Sequence, residues 1–243
     1  MCVIGRVIDR VSATWVAQRA LRPEKRVTFV VAAMLLFSAS RVSAAVSLDL
    51  RVVDREGHGV PDVVLVAEAT DASHAAAIHP AGKAVMDQQG RKFVPQVLVV
   101  QTGTVVAFPN SDTVSHQVYS FSPARRFQLP LYKGEAHSPV TFDKAGLVVL
   151  GCNIHDEMVG YIYVADSPYF AKTDADGRAQ IRGVSAGHYR IDVWGPRVAD
   201  SPDTLVRKLT LQNTGKISTL EWRLQKPLRS RVSPGPHDVD WDY

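Results

Sequence analysis

The sequence predicts an all-β fold built from β-sandwiches. Short runs of alternating apolar and polar residues recur along the chain, and Gly- or Asp-containing turns separate them. No stretch after residue 45 holds a helical period of apolar residues. The predicted strands are residues 46–52, 63–67, 97–100, 105–108, 138–142, 147–150, 160–164, 179–182, 189–194, 205–211 and 217–224.

Residues 1–44 are predicted to be a secretory signal peptide. Lys25 and Arg26 precede an apolar run over residues 27–37, and Val42-Ser43-Ala44 has the small-residue pattern of a cleavage site. The run is too short to span a bilayer. We therefore expect export to the periplasm and no membrane span in the mature chain.

The charge balance argues against nucleic acid as a partner. The chain has 28 Lys and Arg residues against 24 Asp and Glu residues, but the leader holds seven of the former and two of the latter. The remaining chain has 21 basic and 22 acidic residues, so it is nearly neutral. A basic patch of the kind that binds nucleic acid is not indicated.

A candidate metal site lies at residues 151–160, which read GCNIHDEMVG. Cys152 is the only cysteine once Cys2 leaves with the leader, so it is buried, reactive or bound to a metal. His155 and Met158 follow it at C-x2-H-x2-M spacing, and His116 lies upstream. One thiolate, two imidazoles and a weak thioether are the donors of a blue-copper site. Zinc is the competitor, although its structural sites usually use more cysteines.

The residues around this site resemble the cupredoxins, the plastocyanin and amicyanin family. The resemblance covers about 85 residues, and the short Cys–Met loop is similar to that of amicyanin. It rests on F-x-P at 93–95, G-T-x-V at 103–106 and N-x-D at 110–112, and on Thr141-Phe142 and Ala145-Gly146, which lead to the cysteine. It implies a Greek-key β-sandwich that holds one mononuclear type 1 copper. The implied ligands are His116, Cys152, His155 and Met158.

Two features depart from the family pattern. Gln117 stands where an Asn usually follows the first ligand, and Asp156 and Glu157 lie inside the Cys–Met loop. These carboxylates are expected to lower the reduction potential or to contact a basic partner, unless they only point into water. We also expect Asn110 or Ser111 to hydrogen-bond the loop that carries Cys152.

The flanks of this region resemble the two halves of another family, the carboxypeptidase regulatory-like (transthyretin-like) β-sandwich. The first half is carried by residues 48–66 and the second by residues 173–194. The expected domains are a first half at 45–77, a cupredoxin domain at 78–168, a second half at 169–225 and a disordered tail at 226–243. The insertion has one alternative, in which the cupredoxin domain is joined head to tail to the smaller sandwich.

The expected function is that of an exported electron carrier. Single electrons would pass between redox partner proteins, a dehydrogenase or a cytochrome, and the combination of domains is similar to proteins labelled methylamine utilisation proteins. We do not expect an enzyme, because four donors leave no open metal position for a substrate. No catalytic residues are therefore assigned. The alternatives are a periplasmic copper capture or delivery protein, and a structural or ligand-binding β-module.

Overall fold

The computed structural model describes residues 46–71, 82–134, 138–212 and 218–230. The predicted signal peptide and residues 231–243 of the predicted tail lie outside the described residues. Strands and their connections make up almost all of the described chain, which confirms the all-β prediction. Within this part of the chain, no helix has the length and apolarity needed to cross a membrane.

Every strand predicted from the sequence is present, with ends shifted by a few residues. The structure adds six strands of two or three residues and a single-turn helix, all too short for a periodic pattern to indicate. The elements are β1 Val46–Val53, β2 Val64–Ala69, β3 Lys83–Val85, β4 Asp87–Gln89, β5 Lys92–Val94, β6 Val97–Gln101, β7 Thr104–Ala107, β8 Tyr119–Ser120, β9 Phe127–Gln128, β10 Val140–Phe142, β11 Gly146–Gly151, β12 Val159–Ala165, β13 Phe170–Lys172, β14 Arg178–Val184, β15 Gly187–Trp194, α1 Pro202–Leu205, β16 Arg207–Leu211 and β17 Ser218–Arg223.

One sandwich, termed here the flank sandwich, combines strands from the two ends of the described chain. Its sheets have the orders β14-β1-β17 and β13-β2-β15-β16. β1 runs antiparallel to β14 and parallel to β17, while β2 lies between β13 and β15. The core between the two sheets includes Leu48, Leu65, Tyr189, Ile191 and Trp222. The strands on either side of the middle region therefore build one common core.

The second sandwich, termed the central sandwich, is formed by the residues in between. A five-stranded sheet of order β6-β12-β11-β8-β9 faces a three-stranded sheet of order β10-β7-β3, and β4 pairs with β5 as a hairpin. Phe93, Phe108, Phe142, Leu150 and Ile162 are all fully or almost fully buried between them. This apolar core holds the ends of β7 and β11, the strands that precede the candidate ligands.

The two sandwiches pack against each other through a third apolar cluster, termed the seam. Alternate residues of β2 and β12 serve different cores: Val64 and Val66 join the seam while Leu65 joins the flank core. Tyr161 of β12 also lies in the seam, and the Trp194 ring lies 5.5 Å from its ring, centroid to centroid. A chain cut between the sandwiches would expose this apolar face to water.

The start of the predicted tail is in contact with the flank sandwich. The Lys226 main-chain N–H donates to the Asp200 carboxylate, and the Arg229 N–H donates to the Arg197 carbonyl. Leu228 packs against the flank core. Ordered contacts therefore extend to the end of the described chain.

We expect Gly160→Ala to destabilise the central sandwich. A Cβ at Gly160 would lie 2.7 Å from the Cβ of buried Phe93, a separation that requires the strand to move. Overpacking of this kind costs about 1–3 kcal/mol of unfolding free energy, measured by chemical denaturation. Gly82→Ala is the control, because a Cβ there meets no atom within 4 Å. Equal stability of the two variants would show that this close approach does not constrain the fold.

Candidate metal centre

Cys152, His155 and Met158 all lie in the short connection between β11 and β12. Gly151 of β11 pairs with Val159 of β12, so the ladder brings Cys152 and Met158 to the two ends of a closed loop. The Met158 N–H donates to the His155 carbonyl at 2.9 Å, which tightens the turn. The loop is thus held at both ends by strands of the five-stranded sheet.

His116 reaches the same place from the connection between β7 and β8. Its main chain exchanges two hydrogen bonds with Tyr132, each 3.0 Å long. The Asn110 side-chain amide donates to the carbonyls of Val114 and Tyr132, which fixes the segment before His116. The imidazole is fully buried, and its position is therefore set by hydrogen bonds as well as by packing.

Two imidazoles and the thiol converge in a small triangle. The Nδ1 atoms of His116 and His155 lie 3.2 Å apart, and the Cys152 Sγ lies 3.9 Å and 3.7 Å from them respectively. The centre of a triangle with these sides lies about 2.1 Å from each corner, close to the roughly 2.0–2.3 Å at which metals bind imidazole nitrogen and thiolate sulfur. His116, Cys152 and His155 would therefore be able to hold one metal ion together.

Asp112 fixes the orientation of the His116 ring. Its Oδ2 atom lies 2.9 Å from His116 Nε2 and accepts the Arg91 main-chain N–H at 2.8 Å, while Oδ1 accepts the Thr113 N–H. The bonds from His116, Arg91 and Thr113 hold the pKa of this carboxyl well below its usual range. A carboxylate on the far nitrogen places the proton there, which leaves Nδ1 free to face the sulfur.

His155 is the more accessible of the two imidazoles. It is half-buried, whereas His116 and Cys152 are buried. Burial, then the neighbouring charges of His116 and Arg91, lower the pKa of His155, against the opposing effect of Asp112. The neutral ring, which has a lone pair for a metal, is therefore favoured.

The structure brings three of the four predicted ligands together through their donor atoms, namely His116, Cys152 and His155. Met158 is 1% exposed and belongs to the same apolar cluster as Cys152. Its role as a weak axial ligand stays a prediction, as do the effects expected of Asp156 and Glu157, whose side chains are exposed.

The prediction that Asn110 or Ser111 hydrogen-bonds the loop that carries Cys152 is wrong, because both residues bond elsewhere. The Asn110 side-chain amide donates to the carbonyls of Val114 and Tyr132, and the Ser111 main-chain N–H donates to Asp87. Sequence reasoning missed the contact between Asp112 and His116. The four-residue spacing of an acid before a predicted ligand was the available signal.

Comparison with known proteins finds similar solved structures over part of the chain. No model of a protein family matches the chain, and no curated protein matches it. A reduced amicyanin variant is 28% identical, covers 41% of this chain and 99% of its own, and has a TM-score of 0.32. A purple cupredoxin from Nitrosopumilus maritimus is 22% identical, covers 34% and 99%, and has a TM-score of 0.31. Both similarities span less than half of this chain.

We expect Asp112→Asn to weaken metal binding by about 10- to 100-fold, the usual effect of losing such a partner of a ligand. An amide has a single acceptor oxygen. It therefore cannot accept hydrogen bonds from His116 and Arg91 at one atom and from Thr113 at the other, as the carboxylate does. Competitive titration with a copper chelator measures the change. Asp143→Asn, which alters an exposed carboxylate of the same sandwich, is the control. Equal affinities for both variants would remove Asp112 from the site.

Proposed function

We propose that the chain is an exported type 1 copper protein of the cupredoxin kind, which carries single electrons between redox partner proteins. The observation that carries this proposal is the buried triangle of two imidazole nitrogens and one cysteine sulfur. Met158, buried in the same cluster, is proposed as the axial thioether. The resemblance of the surrounding sequence to cupredoxins supports the same conclusion.

The chain's own residues suit the proposed site to repeated electron transfer. Bound copper would supply a one-electron couple between its two oxidation states. Cys152 follows the last residue of β11 directly, and the bridge between His116 and Tyr132 holds the other side of the site. Donors held in this way move little when the charge of the metal changes, which keeps the barrier to electron transfer low.

Water is kept away from most of the proposed site. Phe108, Val118 and Leu150 belong to the apolar cluster that contains Cys152, and each is almost fully buried. His155 alone among the three contacting donors is half-exposed. We therefore propose His155 as the point at which electrons reach the protein surface.

The remaining parts of the proposal rest on the sequence and, for the domain arrangement, on the strand pairing. Export through residues 1–44, the absence of catalysis and the presence of a redox partner are supported by the leader pattern and by the saturated donor set. The insertion of the cupredoxin domain into a transthyretin-like sandwich is supported by the pairing of β1 and β2 with strands that follow residue 169.

We expect the copper-loaded protein to show an intense visible charge-transfer band, and Cys152→Ser to abolish it. The thiolate is the donor of that transition, and serine offers no equivalent orbital. Circular dichroism should show that the β fold survives, because the strands build the core. A band that persists in the variant would contradict the assignment. A wild-type protein that binds only Cu(I) and shows no band would favour copper capture or delivery.

We expect Met158→Leu to raise the reduction potential and Met158→Gln to lower it, while copper stays bound. A weak axial donor contributes little to holding the metal but tunes its potential. Leucine removes donation to the oxidised metal, and the glutamine oxygen strengthens it. Cyclic voltammetry measures the potential and elemental analysis the copper content. Unchanged potentials in both variants would mean that Met158 only packs in the core.

A further inference from the structure

The turn between β4 and β5 contains a strained residue. Gly90 and Arg91 have φ angles of 58° and 59°, both in the left-handed region. A two-residue hairpin turn needs this geometry at both positions and favours Gly or Asn there. Arginine at the second position suffers the steric conflict between Cβ and the following carbonyl. Such strain next to a functional site points to a use for the side chain.

The main chain of Arg91 places this turn beside the metal centre. Its N–H donates to Asp112 Oδ2, and the same oxygen lies 2.9 Å from Nε2 of His116. One carboxylate therefore separates Arg91 from a proposed ligand. Any residue with an N–H would make this bond, and glycine would make it without strain. The bond fixes where Arg91 lies but does not explain why the residue is arginine.

The guanidinium supplies what the main chain does not. Arg91 is exposed, and contacts lead from its main chain through Asp112 and His116 to His155, whose Nδ1 lies 3.2 Å from that of His116. Within the described ranges, no carboxylate lies within ion-pair distance of this guanidinium. Asp112, which accepts the Arg91 main-chain N–H, is committed to its bonds with His116 and with main-chain N–H groups. An exposed cation with no ion-pair partner among the described residues thus belongs to the residue whose main chain binds the carboxylate of the proposed metal site.

We propose that Arg91 is the residue that recognises an acidic surface of the redox partner and positions it over His155. This inference rests on the proposed electron-carrier function. Asp156 and Glu157 are exposed in the loop that carries His155, so an acidic group of the partner would be drawn to Arg91 and away from that loop. An acidic group on the partner that meets Arg91 would therefore fix the rotation of the partner about His155 as well as its distance.

The test uses the full chain loaded with copper and two small oxidants of opposite charge. Each oxidant, hexacyanoferrate(III) or tris(phenanthroline)cobalt(III), takes one electron from the Cu(I) protein and is itself reduced by one electron. Arg91→Gln removes the charge, whereas Arg91→Lys keeps it, and both variants retain the N–H and the left-handed turn. Lys92→Gln removes the neighbouring exposed cation of β5 and is the control.

At low ionic strength, Arg91→Gln should slow the reaction with the anionic hexacyanoferrate(III) by roughly fivefold. It should accelerate the reaction with the cationic tris(phenanthroline)cobalt(III). The difference should vanish near 1 M salt, where the Debye length is about 3 Å. Arg91→Lys should keep most of the wild-type rate, and Lys92→Gln should change it much less than Arg91→Gln does.

Equal effects of Arg91→Gln and Lys92→Gln, or no effect of either, would overturn the assignment of Arg91, because the response would then reflect net charge alone. The visible spectrum separates this failure from the failure of the proposed function. A wild-type protein with the thiolate band but without a specific response to Arg91 contradicts only this inference. A wild-type protein without the band contradicts both.

Discussion

The site depends on the convergence of two chain segments that are distant in sequence. Cys152 and His155 are fixed by the ladder between β11 and β12, whereas His116 is fixed by its bridge to Tyr132 and by Asp112. Neither segment alone supplies more than two close donors. Because the carboxylate of Asp112 holds the far nitrogen of His116, the ring presents Nδ1 to the other two donors before any metal is present. Because the donors are preorganised in this way, the protein and not the ion determines the coordination geometry.

The five-stranded sheet links this site to the rest of the molecule. One face of β12 covers the core that contains Cys152, and the other face packs in the seam against β2 of the flank sandwich. In β11, Leu150 likewise packs in the core that contains Cys152, and Val149 packs in the seam. The flank sandwich therefore covers the back of the sheet whose end carries the loop with Cys152, and protects an apolar face that would otherwise meet water.

The sequence was informative where the signal was local. The strands follow from alternation and turns, and the C-x2-H-x2-M spacing identifies residues that one tight loop must bring together. The seam was not predicted, because a strand with two apolar faces does not reveal what covers the second face. The β4–β5 hairpin was missed since its polar residues show no alternation. The roles of Asp112 and Arg91 depend on contacts through space, which a single sequence does not encode.

X-ray absorption spectroscopy at the copper edge of the loaded full-length protein tests the central claim most directly. The account predicts one sulfur and two nitrogen scatterers, all at about 2.0–2.3 Å, as the triangle of Cys152, His116 and His155 requires. A weak, longer sulfur contribution would add Met158. A first shell made only of nitrogen and oxygen, or one that contains two short sulfurs, would contradict it.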